Sequence, residues 1–202
     1  FDTNLDIMAG QFQTSDPLMK RELRLTFEDY HVYKQNIGKS QIDLTYDRGL
    51  MLVYGVDQTS TDIIGMVVNG NGIKEAGYDD IYHSFDGDKY KNFGFRINQT
   101  ITDNFSIGGF AYYGQEKVAA NNNLFTNSVT YWGPDLAVSM LEKFDLTAQY
   151  LYREDSNPTA LAQGKKVATD GILTELIYHP KADMSRYYIT MLYNWIDSDW
   201  DH

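Results

Sequence analysis

The chain has 202 residues, 43% of them hydrophobic and none of them cysteine, and its formal net charge is -11. This composition predicts one folded domain over residues 1–202 and excludes disulfide scaffolds and thiolate metal sites. The acidic charge argues against a nucleic-acid partner, because a phosphate backbone requires a basic face.

Alternation of apolar and polar residues recurs along the chain in segments longer than a typical soluble strand of about five or six residues. From Phe93 to Ile101 the odd-numbered positions are mainly apolar and the even-numbered ones are polar or Gly. The same pattern starts at Phe144 and, less regularly, at Tyr187. Long segments with one apolar face are typical of tilted strands that cross a membrane.

Turn signals divide the chain into about nine strands in meander order. We expect these strands near residues 5–12, 41–56, 61–69, 90–102, 105–114, 128–141, 144–153, 169–179 and 186–197. Short turns at 57–60, 103–104, 142–143 and 180–185 alternate with long polar stretches at 70–89, 115–127 and 154–168. Tight periplasmic turns and long external loops are typical of outer-membrane barrels.

The predicted fold is therefore all-β: an antiparallel transmembrane β-barrel of porin type, in a bacterial outer membrane of lipid bilayer and lipopolysaccharide. An odd strand count conflicts with the even number of strands in bacterial single-chain barrels. The chain is therefore interpreted as an incomplete barrel with strands missing from one or both ends. The alternatives are an overlooked strand around residues 30–37 and a soluble β-sandwich whose core holds the aromatic residues.

Residues 13–40 break the alternation and concentrate charge. Asp16 followed by Pro17 is typical of the start of a short helix. We predict that this segment is a loop that folds into the lumen and narrows it, where facing charges of opposite sign set ion preference. The candidate pore-lining residues are Lys20, Arg21, Glu22, Arg24, Glu28 and Asp29, together with Arg48 and Arg96. The alternative is a set of weak surface ion pairs on an external loop.

Three stretches carry a resemblance to a known family. They are Met8-Ala9-Gly10-Gln11-Phe12, then Lys20 to Tyr30 with its charged and aromatic residues, then Leu44-Thr45-Tyr46-Asp47-Arg48-Gly49-Leu50-Met51. Over residues 5–70 the chain resembles phosphate-selective porin-like outer-membrane proteins. The resemblance implies a homotrimeric diffusion channel in which Lys20, Arg21, Arg24 and Arg48 are pore-lining cations. A phosphate-selective lumen is strongly basic, whereas this chain is acidic, so phosphate selectivity is not predicted.

Other polar clusters give weaker signals. Loop carboxylates at Asp79, Asp80, Asp86 and Asp88 are candidate Ca²⁺ ligands, although their spacing matches no defined calcium motif and a solvated loop is the simpler interpretation. The four His residues are scattered without ligand spacing, so no other metal site and no cofactor is predicted. His83 beside these acids is the one candidate for a barrel hydrolase, and the chain is otherwise interpreted as a non-enzyme.

The leading functional hypothesis is an outer-membrane porin that allows passive diffusion of small polar or ionic solutes. The alternative is a barrel that serves as a sheath around a partner such as a multihaem cytochrome in an electron conduit. The chain contains no Cys-x-x-Cys-His motif, so any haem would belong to that partner.

Overall fold

The computed structural model describes residues 4–14, 31–34, 37–42, 44, 46–70, 88–121, 123–162 and 164–199. These residues form one nine-stranded antiparallel sheet in meander order. The strands are β1 (Leu5–Gln13), β2 (Tyr46–Val56), β3 (Thr61–Val68), β4 (Asn92–Thr102), β5 (Phe105–Ala120), β6 (Asn123–Met140), β7 (Phe144–Asp155), β8 (Val167–Tyr178) and β9 (Ile189–Ser198). A single helical turn, α1 (His31–Lys34), lies between β1 and β2. The prediction of about nine antiparallel meander strands is confirmed.

The short connections lie at one end of the sheet, which we call the short-turn end. They are the turns around residues 57–60, 103–104, 141–143 and 179–188. At the opposite end, β5 and β6 continue as a hairpin that turns at Asn121, where φ is +50°. The predicted polar loop at 115–127 is therefore wrong, because most of these residues pair with one another as strand.

The pairing register sorts the strand residues onto two faces. On β4 the even-numbered residues Asn92, Gly94 and Arg96 are buried, and we call their side of the sheet the packed face. The odd-numbered residues of β4 are exposed, and we call their side the apolar face. Ile97 pairs with Ile63 on β3 and with Gly109 on β5, so the same face continues across the strands.

A buried hydrophobic cluster covers the half of the packed face away from the short turns. It contains side chains from β2, β3 and β5 to β8 and from the described residues between β1 and β2. Burial of each large apolar side chain contributes about 1.5–3 kcal/mol. Tyr112 and Tyr131 belong to this cluster and are only 2% and 1% exposed. These two tyrosines therefore belong to the core and do not lie in an interfacial girdle of aromatic residues.

The apolar face carries large hydrophobic side chains that are open to the surroundings. Phe93, Phe95 and Ile97 are 53%, 49% and 42% exposed. Exposed residues on neighbouring strands extend this surface across the sheet: Leu5, Ile7, Leu50, Leu52, Tyr54, Val67, Ile107, Tyr113, Trp132, Ile172, Met191, Tyr193 and Trp195. Monomeric soluble proteins rarely expose a contiguous apolar surface of this extent.

Aromatic side chains lie toward both ends of this apolar face. Away from the short turns, Trp132 packs edge-on against Tyr150 at 5.9 Å and is tilted against Tyr152 at 5.6 Å between ring centroids. At the short-turn end, Phe144 stacks on Tyr178 at 4.8 Å. Aromatic rings with polar tips at both borders of an apolar band are typical of membrane barrels.

The sheet is open in the described residues. β1 pairs with β2 and β9 pairs with β8, and no described residue of β1 pairs with β9. With nine antiparallel strands in sequence, β1 and β9 run in the same direction. Antiparallel pairing between these two edges is therefore geometrically impossible.

Candidate functional site

The predicted pore-lining residues fall into two groups. Lys20, Arg21, Glu22, Arg24, Glu28 and Asp29 lie outside the described residues, as does most of the predicted constriction loop. Arg48 and Arg96 are described, and they lie on opposite faces of the sheet. Arg48 pairs with Gln11 and shares the apolar face with Leu50, whereas Arg96 lies on the packed face. The structure therefore does not bring these two arginines together.

Arg96 forms a bidentate ion pair that spans a strand. Its two terminal nitrogens donate to the carboxylate of Asp135 at 2.5 and 2.8 Å, and both side chains are nearly inaccessible to solvent. Arg96 is on β4 and Asp135 is on β6, so the pair passes over Gly108 of β5. A Cβ at Gly108 would come within 2.7 Å of Asp135 and 2.8 Å of Arg96. The missing side chain at this position is what allows the pair to form.

Described residues between β1 and β2 lie against the packed face. They are α1, residues 37–42 and residue 44, which we call the inward segment. Val32, Tyr33, Ile42 and Leu44 of this segment are buried in the hydrophobic cluster. At Gly171 of β8 an added Cβ would lie only 2.3 Å from Val32, so α1 approaches the sheet backbone closely there.

A cluster of buried polar groups holds residues 39–42 against the sheet. The Arg153 guanidinium donates to the Ser40 hydroxyl at 2.7 Å and to the Ile42 carbonyl at 3.2 Å. Its Nε donates to Asp155 at 2.5 Å, and the guanidinium lies 5.0 Å from the centre of the Tyr131 ring. One side chain therefore joins the inward segment to β6 and β7.

The protruding part of the β5–β6 hairpin supplies the other half of this cluster. Glu116 accepts a hydrogen bond from the Gln41 backbone at 2.7 Å and one from the Asn127 side chain at 2.8 Å. Asn127 also donates to Asp155 at 3.0 Å, so its side chain bridges the carboxylates of Glu116 and Asp155. Glu116 lies beyond the apolar part of the sheet, and burial there raises the pKa of its carboxyl above the usual range.

Sequence reasoning did not single out this cluster. Arg153 and Asp155 occupy the polar positions of an alternating strand, which is a usable signal for the packed face. Their role depends on contact with Ser40 and Ile42, more than 100 residues away in sequence. Periodicity within one strand carries no information about that contact.

The candidate ion-binding and hydrolytic residues do not form a site in the described part of the chain. Asp79, Asp80, Asp86 and His83 lie outside it. Asp88 accepts hydrogen bonds from the backbone of Tyr90 and Lys117, which is a structural role. No group of three or more His, Asp or Glu with metal-binding geometry occurs among the described residues.

Comparisons with known proteins do not assign the chain to a family. No protein-family model, curated protein or solved structure matches it. Among the described residues, no helix has the length and hydrophobicity needed to cross a membrane. The resemblance to phosphate-selective porin-like proteins therefore stays a prediction.

Proposed function

We propose that this chain forms part of the wall of an outer-membrane β-barrel and that its packed face lines a passage for small polar or ionic solutes. The observation that carries the proposal is the division of the sheet into two faces of opposite character. One face is apolar, exposed and bordered by aromatic rings, and the other carries buried polar and charged groups. Lipid is the solvent in which such an apolar face is stable.

A soluble sandwich is a poorer explanation of the same sheet. A sandwich buries one face of each sheet against a second layer. Here the buried face is packed against the inward segment, and in the described ranges nothing covers Phe93, Phe95 or Ile97. The strand lengths also favour the barrel, because β4, β7 and β8 have 11, 12 and 12 residues.

The direction of the edge strands constrains how such a barrel closes. β1 and β9 are parallel to one another, so an odd number of further strands is needed between them for antiparallel closure. Unpaired backbone groups at a strand edge are costly in lipid, which favours closed barrels over open sheets. We therefore propose that the described sheet is one arc of a larger barrel with an even strand number.

The charges of the packed face favour cations over anions. The described strands place eight carboxylates and two guanidinium groups on this face: Asp6, Asp47, Asp62, Glu116, Asp135, Asp145, Asp155 and Glu175 against Arg96 and Arg153. Both arginines are paired with buried carboxylates, whereas Asp6 and Asp62 are exposed. Fixed negative charge along a passage raises the local concentration of cations.

Planar-bilayer recordings of the full-length protein test this proposal. The expected result is discrete conductance steps with a reversal potential, under a potassium chloride gradient, that shows preference for potassium. Conductance with chloride preference would contradict the charge argument alone. A protein that inserts into the bilayer without conducting would contradict the channel function and agree with the expectation of a sheath around a partner.

A further inference from the structure

Hydrogen bonds hold every residue from 39 to 42 of the inward segment against the sheet or the loop that follows β7. The Lys39 backbone donates to the Pro158 carbonyl at 2.8 Å, and the Gln41 backbone donates to Glu116 at 2.7 Å. Between them, Ser40 and Ile42 accept hydrogen bonds from Arg153. Lys39 is therefore held by a carbonyl of the loop that follows β7, whereas Ser40, Gln41 and Ile42 are held by side chains of the sheet.

We propose that Arg153 is the positioning residue that fixes the inward segment against the sheet and so sets the free cross-section of the passage. The positioning role of Arg153 stands on contacts within the chain. Its control of the cross-section rests on the proposed channel function.

The chemistry of the arginine side chain suits this role. A planar guanidinium presents five donors in fixed directions, so one side chain can bond a carboxylate and two further acceptors. At Arg153 these partners are Asp155 on its own strand and Ser40 and Ile42 on the inward segment. A lysine has a single charged nitrogen and does not reproduce this geometry.

Burial makes release of the segment costly. Arg153, Asp155 and Glu116 are 3%, 0% and 1% exposed. Lifting residues 39–42 away would leave the donors of Arg153 without their segment partners in a region that is shielded from water. We therefore expect the inward segment to be a fixed part of the passage in the folded protein.

Hydrogen exchange of the full-length protein in lipid vesicles tests the positioning role. The amides of Lys39, Ser40, Gln41 and Leu44 all donate hydrogen bonds and are expected to exchange slowly. Ser40→Ala removes one acceptor of Arg153 but leaves the Arg153–Asp155 pair in place. Because the lost hydrogen bond has a charged donor, we expect these amides to exchange about tenfold faster or more. Arg153→Lys is expected to produce a larger increase.

A matched control uses Ser139→Ala at the short-turn end. That substitution also removes a hydroxyl bonded to a charged side chain, in this case the carboxylate of Asp145 at 2.7 Å, and is expected to leave exchange in 39–44 unchanged. Unchanged exchange in both Ser40→Ala and Arg153→Lys, with the protein folded, would overturn the proposal.

Bilayer recordings on the same variants separate the two claims. If the conductance of Ser40→Ala is larger or less steady than that of Ser139→Ala, the inward segment controls the cross-section of the passage. The expected exchange pattern with no conductance in any variant would support the positioning role and overturn the channel function.

Discussion

The ion pair between Arg96 and Asp135 leaves no room for a side chain at Gly108 of β5. In Gly108→Ala the new Cβ would lie 2.7 Å from a carboxylate oxygen of Asp135 and 2.8 Å from a guanidinium nitrogen of Arg96. Ordinary contact between such atoms needs at least about 3.4 Å. The two charged groups must therefore move apart or the strand must shift.

The expected loss of stability follows from the burial of both partners. Their side chains are only 4% and 7% exposed, so separated charges gain little hydration. Breaking a buried pair costs about 3–5 kcal/mol and overpacking costs about 1–3 kcal/mol. Because the alanine displaces the pair without removing either charge, we expect a loss of about 2–4 kcal/mol.

Urea unfolding in lipid vesicles, followed by tryptophan fluorescence, measures this effect. Trp132 and Trp195 lie on the apolar face and report its transfer out of the membrane. Gly109→Ala is the matched control, because its Cβ has only one neighbour within 4 Å, the Gly133 carbonyl at 3.8 Å. If Gly108→Ala and Gly109→Ala unfold at the same urea concentration, the packing argument is refuted.

Two further predictions concern the faces of the sheet. The double substitution Asp6→Asn and Asp62→Asn is expected to lower the cation-to-anion permeability ratio about fivefold for each carboxylate removed, which is roughly thirtyfold in all. A carboxylate roughly 5 Å from the ion path contributes about 0.5 kcal/mol in screened water, with opposite sign for cation and anion. Ile97→Arg, within the apolar face, is expected to cost about 2–4 kcal/mol of unfolding free energy in lipid, against about 0–1 kcal/mol for Gln115→Arg beyond the apolar region.

Each of these predictions has a specific counter-result. Asp103→Asn with Asp197→Asn removes the same number of exposed charges away from the packed face, and an equal change in permeability ratio would contradict the assignment of Asp6 and Asp62 to the passage. Equal unfolding free energies for the two arginine variants would show that the apolar face does not meet lipid.

Strand number and face assignment were predictable where apolar and polar residues contrast. On β4 and β7 the alternation identifies the two sides because one face meets hydrophobic surroundings and the other does not. The sequence predicts a loop over 115–127 because the outer positions of this hairpin, such as Gln115 and Lys117, are polar as well. Without a difference between faces, periodicity gives no strand signal.

The candidate site was predictable only in part. Alternation predicts that Arg96 lies on the polar side of its strand, and the structure adds its partner Asp135 from a strand that is not a neighbour. Tyr131 is adjacent in sequence to Trp132, yet the two residues lie on opposite faces, so aromatic content alone did not separate core from border. The attachment of Ser40 to Arg153 depends on tertiary folding and has no local signature.

The central claim is that the apolar face meets lipid, and site-directed spin labelling tests it most directly. The chain has no cysteine, so each introduced thiol is unique. Ile63 pairs with Ile97 on the apolar face, and Asp62 pairs with Asn98 on the packed face. In membranes, labels at 63 and 97 are predicted to be accessible to oxygen, and labels at 62 and 98 to a water-soluble nickel chelate. Equal accessibility at the four positions, or nickel access at 63 and 97, would contradict the membrane-wall account.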